Sequence, residues 1–151
     1  MKSIQSKDLN LSKKKILIRL DLNVPLDGKK IVDTNRIDKI IPTLRYLLKN
    51  NANIIILSHV GRPKGEVVNK LSLEPVREDL IRKLNQKITL VKQNINKIKV
   101  EDFFNKDCNI IMLENLRFYK EEENDDANFA RSLAKLADIY INEAFSCSHR
   151  K

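Results

Sequence analysis

Two segments of this chain are almost entirely aliphatic and do not alternate apolar with polar residues. They are IIIL at 54–57 and IIML, which lies inside NIIMLENL at 109–116. A strand that is covered on both faces has this composition, because neither of its sides meets water. The feature therefore favours a parallel sheet with helices packed on each side.

The whole chain alternates between strand-like and helix-like segments. Five strands are predicted, at KILIRLDL 15–22, NIIILSHV 53–60, KITLV 87–91, NIIMLENL 109–116 and DIYINEAF 138–145. Helical periodicity separates them over 35–51, 72–85 and 126–137. This alternation indicates βαβ units, so we expect one three-layer α/β/α domain of the Rossmann-like type. The connection 60–71 is predicted to be the longest surface loop, and 92–107 carries no clear pattern.

The predicted helices carry their own start signals. Asp33 or Thr34 is placed to cap the first helix, and Ser72 is placed to cap the second, with Pro75 in its first turn. Pro42 lies inside the first pattern, which predicts a kink or a late helix start. The side chains predicted to face the core are Ile37, Ile40, Ile41, Leu44, Leu47, Leu48, Leu73, Val76, Leu80, Leu84, Phe129, Leu133 and Leu136.

Composition excludes some classes of protein and leaves others open. No apolar run approaches the ~20 residues of a membrane span, and the first ten residues lack the apolar core of a signal peptide. Cys108 and Cys147 are far apart and are predicted to be reduced cytosolic thiols. The net charge of +9 is compatible with nucleic acid, a membrane surface or a small anion. Aromatic residues make up only 5% of the chain, which is few for stacking on bases.

Polar and cationic residues follow four of the predicted strands. In chain order they are Asp21, Asn23, His59, Arg62, Asn115, Arg117, His149 and Arg150. Arg36 begins the first helix near the same edge. Ligands of open parallel sheets bind at the carboxyl ends of the strands, and arginine pairs bidentately with phosphate and carboxylate. The pattern predicts a site for a small anion, in which Asp21 and Asn23 suit a ligand hydroxyl and Gly61 lets backbone approach closely.

A nucleotide-phosphate loop is not evident in the chain. Neither GxxxxGK[ST] nor GxGxxG occurs, and there are only three glycines. An anion site without a nucleotide site of its own is typical of one half of an enzyme.

In these residues the chain resembles the N-terminal half of the phosphoglycerate kinase family. The matching blocks are DLNVP at 21–25, DTNRI at 33–37, SHVGRPKG at 58–65, LENLRFYKEEEND at 113–125 and YINEAFSCSHR at 140–150. Together they are highly specific, and their order and spacing cover essentially the whole chain. Glu143 stands where Asp is common and Ser146 where Gly is common; both departures leave Arg150 in register.

The resemblance implies a 3-phosphoglycerate site and a role for each matching residue. Asp21 and Asn23 would hold the hydroxyl region of the substrate. Arg36 would be the catalytic residue, because it would lie closest to the transferring phosphoryl group. The 3-phosphate and the neighbouring groups of the substrate would be bound by His59, Arg62, Arg117 and Arg150. The full set of implied substrate-binding residues is Asp21, Leu22, Asn23, Arg36, His59, Val60, Gly61, Arg62, Arg117 and Arg150.

The resemblance also implies a reaction and a division of labour. The family transfers a phosphoryl group between 1,3-bisphosphoglycerate and ADP, giving 3-phosphoglycerate and ATP in glycolysis. Its C-terminal domain holds the nucleotide with Mg²⁺, so residues 1–151 are expected to be an incomplete N-terminal domain, without cofactor or metal of its own and inactive alone. The whole enzyme is expected to be a cytoplasmic monomer that binds neither nucleic acid nor membrane. A non-catalytic anion-binding domain and a nucleic-acid-binding module are the alternatives.

Overall fold

The structure is a computed structural model, and its secondary structure alternates as the sequence predicts. It describes residues 10–20, 22, 26–27, 30–31, 34–61, 63–124 and 126–142. The strands are β1 (Lys15–Arg19), β2 (Leu26–Asp27), β3 (Lys30–Ile31), β4 (Asn53–Leu57), β5 (Ile88–Val91), β6 (Ile110–Leu113) and β7 (Ile139–Asn142). The helices are α1 (Asn35–Lys49), α2 (Glu74–Leu84), α3 (Lys120–Glu123) and α4 (Ala127–Ala134). Short 3₁₀ turns cover Asn69–Leu71, Val100–Phe103 and Leu116–Phe118.

Five of the strands form one parallel sheet in the order β5-β6-β4-β1-β7. Ile54 of β4 pairs with Ile16 of β1 on one side and with Ile110 of β6 on the other. All five strands were predicted, and the predicted α/β class with a parallel sheet is confirmed. β2 and β3 form a separate antiparallel pair that the sequence analysis does not predict, although Asp27–Gly28 is a common hairpin dipeptide.

Both faces of the sheet are covered, as the aliphatic runs predict. Successive side chains of a strand point to opposite faces, so the residues of each strand divide between two cores. One core, packed under α1 and α2, takes the strand residues Ile16, Ile18, Ile54, Ile56, Ile110 and Met112. The other, packed under α4 and the 92–107 connection, takes Leu17, Ile55, Leu57, Ile111 and Leu113. All of these are at most 2% exposed, which explains why β4 and β6 contain no polar residue after Asn53 and Asn109.

Helix α1 corrects one prediction. It is continuous from Asn35 through Pro42 to Lys49, so of the two predicted alternatives, a kink or a late start, the late start is wrong. Proline removes one backbone donor, but Ile40, Ile41 and Leu44 are buried around it, and their packing holds the helix in place. Thr34 is the N-cap residue, yet its hydroxyl bonds the carboxylate of Asp38 rather than a backbone N–H.

At α2, Leu73 rather than the predicted Ser72 is the N-cap residue, and its side chain makes no cap bond. The hydroxyl oxygen of Ser72 still accepts a hydrogen bond from the N–H of Glu74 at 3.2 Å, and Pro75 lies in the first turn, as predicted. At α4, the carboxylate of Asp126 accepts bonds from the N–H groups of Asn128 and Phe129 at 2.8 and 3.1 Å. The predicted core side chains of the three helices are buried, except Leu48, which is half-buried against the same core.

Of the two cysteines that were predicted to be reduced thiols, Cys108 lies among the described residues. Cys108 is a free, buried thiol whose Sγ lies 3.3 Å from the carbonyl oxygen of Ile110. Cys147 and Asp33 lie outside the described residues. In the part of the chain that the structure describes, every helix is too short or too polar to cross a bilayer.

Candidate functional site

The carboxyl ends of the strands bring separate parts of the chain to one edge of the sheet. Because β1, β4, β6 and β7 are parallel, the segments that follow Arg19, Leu57, Leu113 and Asn142 all leave from this edge. Each of these four strands ends three residues before its predicted end. After β4 and β6, the three residues thus released begin the segments that carry His59 and Arg117.

Six predicted site residues lie among the described residues, and four do not. The described ones are Leu22, Arg36, His59, Val60, Gly61 and Arg117. The residues that lie outside the described part of the chain are Asp21, Asn23, Arg62 and Arg150, together with His149.

Ser58 ties the segment after β1 to the segment after β4. Its hydroxyl donates to the carbonyl of Leu20 at 2.8 Å and accepts from the N–H of Leu22 at 3.1 Å. Its own carbonyl accepts from the N–H of Leu116, after β6, at 3.0 Å. Ser58 is 1% exposed, so these bonds satisfy groups that water does not reach. One residue thus joins the first three of the four site segments.

His59, Val60 and Gly61 continue from Ser58 along the same edge. His59 is 5% exposed and Val60 is 2% exposed, so both side chains are largely covered. Gly61 has φ +65°, and a Cβ built on it would lie 2.6 Å from Cδ2 of Leu71. The left-handed backbone conformation favours glycine here, and the close contact with the Leu71 side chain adds a second reason that the sequence analysis does not identify.

Asn115 holds the β4 loop against the β6 loop. It is fully buried, and its Nδ2 donates to the carbonyls of Val60 and Leu71, each at 2.8 Å. Its Oδ1 accepts from the N–H of Arg117 at 3.0 Å, and this bond caps the 3₁₀ turn that carries Arg117. The carbonyl of Arg117 in turn accepts from the N–H of Gly65 at 3.0 Å. Arg117 is thereby brought beside the segment that contains His59 and Gly61.

Glu114 anchors the same turn to the start of α2. Its carboxylate accepts bonds from the N–H of Leu73 at 2.8 Å and from the hydroxyl of Ser72 at 2.6 Å. It also accepts from the N–H of Asn115 at 2.8 Å. Sequence analysis does not assign this supporting role to Glu114 or Ser58, because the partners that join separate segments, Leu22 for Ser58 and Leu73 for Glu114, lie 36 and 41 residues away along the chain.

Arg36 occupies the first turn of α1 and is exposed. α1 ends at Lys49, just before β4 begins at the opposite edge of the sheet. A 15-residue helix is about 22 Å long, so its first turn lies toward the edge where the strands end. This topology places Arg36 on the same side of the domain as Arg117.

A neighbouring cleft of about 700 Å³ lies beside the predicted site rather than in it. Its lining includes Glu74, Lys92, Glu114, Asn115 and Phe118, and none of the six predicted substrate-binding residues that the structure describes lines it. Two carboxylates against one lysine make it a poor match for an anion. Among the described residues, no group of three or more His, Cys, Asp and Glu side chains is placed to hold a metal ion.

The fold defines a class of protein, the open parallel α/β domains, in which ligands generally bind where the strands end. The sequence comparison is more specific, since a family model described as phosphoglycerate kinase matches residues 6–151. The chain belongs to the phosphoglycerate kinase family.

Individual relatives agree with the family match. The chain is similar to phosphoglycerate kinase of Moorella thermoacetica, with 42% identity over 99% of this chain and 38% of that protein. It is 48% identical to the Wolbachia pipientis wMel enzyme of the same name, over 98% of this chain and 37% of that one. The chain thus spans under two-fifths of the length of these relatives.

Solved structures show the same likeness. Phosphoglycerate kinase from Coxiella burnetii superimposes with a TM-score of 0.81 at 35% identity, covering 92% of this chain and 34% of that one. The enzyme from Pyrococcus horikoshii OT3 gives a TM-score of 0.80 at 29% identity, covering 95% and 37%. The fold is therefore shared with part of each of these enzymes.

Proposed function

We propose that this chain supplies the 3-phosphoglycerate site of a phosphoglycerate kinase. The observation that carries the proposal is the joining of the β4 and β6 loops, which brings Arg117 beside the segment 58–65 at the strand-end edge. Family membership gives that edge its ligand class. The chain spans under two-fifths of its relatives, so the proposal concerns the substrate half of the reaction.

The residues divide the work of binding by their chemistry. Guanidinium groups of Arg62, Arg117 and Arg150 would pair with the 3-phosphate, with His59 beside them. Asp21 and Asn23 would accept and donate hydrogen bonds at the 2-hydroxyl. Leu22 and Val60 are 0% and 2% exposed, so they would support the site from behind, and Gly61 would let the backbone approach the ligand closely.

Arg36 would act on the transferring group. When 1,3-bisphosphoglycerate donates to ADP, the bond between the acyl oxygen and phosphorus breaks, and the carboxylate of 3-phosphoglycerate leaves. A new bond forms between that phosphorus and the terminal phosphate oxygen of ADP. Charge spreads over the phosphoryl oxygens during the transfer, and an arginine beside them stabilises that charge. No general base is needed in the reverse direction, because the attacking carboxylate is already ionised.

The nucleotide half of the reaction would belong to a second domain. ATP or ADP with Mg²⁺ would bind to a second domain, as no nucleotide-phosphate loop is evident in this chain. The assembled enzyme would act as a monomer in the cytoplasm, and the 151-residue chain alone would bind substrate without turning it over.

Titration calorimetry with 3-phosphoglycerate at low ionic strength tests the site. Arg62→Ala and Arg117→Ala should each weaken binding by about tenfold or more, because each removes a charge-assisted hydrogen bond to the ligand. Arg131→Ala is the matched control: it removes an exposed arginine on α4, and the affinity should stay that of wild type. Added salt should weaken wild-type binding.

Glycerate, which lacks the phosphate, serves as the control ligand and should bind more weakly than 3-phosphoglycerate. Equal affinity for 3-phosphoglycerate in wild type, Arg62→Ala and Arg117→Ala would remove the basis of the proposal.

A further inference from the structure

The side chain of Asn115 uses its hydrogen-bonding groups entirely inside the protein. Both donors of Nδ2 are occupied, by the carbonyls of Val60 and Leu71, and Oδ1 accepts from the N–H of Arg117. Asn115 is 0% exposed, so none of these partners can turn to water if the amide is lost. The residue is therefore not a ligand-binding group, although its motif lies next to Arg117.

Only a carboxamide of this length satisfies all three partners. A carboxylate keeps the acceptor but has no donor for the two carbonyls, and a leucine of similar shape has neither. The carbonyls of Val60 and Leu71 would then face a like charge or an apolar group. Replacing Asn115 therefore disturbs the backbone at Val60, Leu71 and Arg117 together, and not one hydrogen bond alone.

Further bonds link those backbone positions to the predicted anion site. The N–H of Gly65 donates to the carbonyl of Arg117, and the N–H of Leu116 donates to the carbonyl of Ser58, both at 3.0 Å. The segments 58–65 and 115–117 are thus cross-linked at three points, with Asn115 in the middle. A shift at Asn115 must be shared by Arg117 and by the chain on either side of His59.

We propose that Asn115 is a positioning residue of the 3-phosphoglycerate site, which sets the placement of Arg117 relative to the 58–65 segment without touching the ligand. The inference rests on the proposed function. It assigns part of the substrate affinity to a buried amide that makes no contact with substrate.

The test compares Asn115→Asp with Asn109→Asp in the 151-residue chain, by calorimetry with 3-phosphoglycerate and by circular dichroism. Asn109 is the matched control, because it precedes the same strand, at the opposite edge of the sheet, and bonds only Asn53 through its side chain. Asn115→Asp should raise the dissociation constant about fivefold or more while the far-ultraviolet spectrum stays that of wild type. Asn109→Asp should leave the dissociation constant unchanged.

A double-mutant cycle separates positioning from general loss of structure. In an Arg117→Ala background, the increase in dissociation constant caused by Asn115→Asp should shrink by about half or more. Asn115 positions Arg117 relative to the 58–65 segment, and the guanidinium of Arg117 is already absent in that background. Fully additive effects would overturn the inference, and so would wild-type affinity in a folded Asn115→Asp protein. If wild type itself does not bind 3-phosphoglycerate, the proposed function fails and the inference with it.

Hydrogen exchange on wild type keeps the inference testable if the variant does not fold. Bound 3-phosphoglycerate should slow amide exchange at Arg117 and Gly65, whose acceptors are Oδ1 of Asn115 and the carbonyl of Arg117. The amide of Asn105, which bonds the carbonyl of Cys108 before β6 begins, should exchange at an unchanged rate. Unchanged exchange at Arg117 and Gly65 with ligand bound would contradict the inference.

Discussion

The hydroxyl oxygen of Ser58 accepts a hydrogen bond from the backbone N–H of Leu22 at 3.1 Å, between two residues that are each at most 1% exposed. The same hydroxyl donates to the carbonyl of Leu20 at 2.8 Å. Backbone pairing between the two segments ends with the N–H of Leu20, which donates to the carbonyl of Leu57 at 3.0 Å. Beyond that bond, the Ser58 side chain supplies the partners of two backbone groups, the carbonyl of Leu20 and the N–H of Leu22.

Ser58→Ala should lower the free energy of unfolding by about 2 kcal/mol. The change leaves the N–H of Leu22 and the carbonyl of Leu20 buried without their partner, and such groups cost ~1–3 kcal/mol. Urea denaturation followed by circular dichroism measures the loss. Ser12→Ala is the control, since Ser12 is exposed and should change stability by no more than about 0.5 kcal/mol. A loss in Ser58→Ala no larger than in the control would contradict the prediction.

Gly65→Ala should destabilise the loop around Gly65, whose N–H donates to the carbonyl of Arg117. Gly65 has φ +75°, and a Cβ there would lie 3.0 Å from Cα of Lys120 and against its side chain. Strain and overlap together should cost about 1–3 kcal/mol in the free energy of unfolding.

Lys64→Ala is the matched control for that change. Lys64 has φ +58° and is exposed, so an L-residue is already accommodated in the same backbone region. Thermal unfolding of both variants should show a clear drop in Tm for Gly65→Ala only. Similar Tm values in the two variants would show that the Lys120 contact is unimportant.

Lys83→Met should weaken the packing of α1 on α2. Nζ of Lys83 lies 3.0 Å from the carboxylate of Asp79 on its own helix and also pairs with Asp38 on α1. The side chain of Asp79 is only 10% exposed, so removing Lys83 leaves a largely buried carboxylate with the weaker contact to Arg82 at 3.3 Å. We expect a loss of about 1–3 kcal/mol in chemical denaturation, below the range for a fully buried pair.

A second substitution tests the cause of that loss. Asp79→Asn in the Lys83→Met background should recover part of the stability, because it removes the uncompensated charge. If the double variant is less stable than Lys83→Met alone, the side chains of Lys83 and Asp79 contribute through packing rather than through their charges.

The ion pair at the start of α2 should make stability depend on acid. Bonding to Arg77 lowers the pKa of the Glu74 carboxyl below its ordinary value of 4.5. A carboxyl with a lowered pKa in the folded state stabilises the fold above its ordinary pKa, and that contribution is lost as pH falls through the folded value. The pair is partly exposed, so the contribution should be about 0.5 kcal/mol.

Glu74→Gln should therefore be less stable than wild type near neutral pH, and the difference should shrink as the pH falls below 4.5 and through the lowered pKa of Glu74. Glu78→Gln is the control, because it removes the same charge from an exposed position on the same helix while leaving the Glu74–Arg77 pair in place. Chemical denaturation across this pH range measures the difference. A gap between wild type and Glu74→Gln that persists into acid would contradict the assignment.

Much of the fold could be predicted because its signals are local. The aliphatic runs of β4 and β6 predict strands covered on both faces, and the spacing of Val76, Leu80 and Leu84 predicts the buried face of α2. The late start at Pro42 is wrong because tertiary packing of α1 outweighs the local preference of one residue. The pair β2–β3 is missed because strands of two residues carry almost no periodicity.

The candidate site divides along the same line. Sequence analysis predicts that His59 and Arg117 leave the sheet at one edge, since strand direction follows from the βαβ pattern. It identifies neither the packing of Gly61 on Leu71 nor the bonds of Asn115 to Val60 and Leu71. These partners are separated by many residues, and nothing local in either segment marks the other.

The sequence by itself determined the layers of this protein, the helix residues that face its cores and the edge at which the segments carrying His59 and Arg117 leave the sheet. Those properties depend on hydrophobic period and on chain direction, which each segment carries alone. Only the tertiary structure decided which carbonyl and which N–H each buried polar side chain satisfies. That choice depends on where parallel strands stop pairing, and the stopping point is set by neighbours on both sides of the sheet.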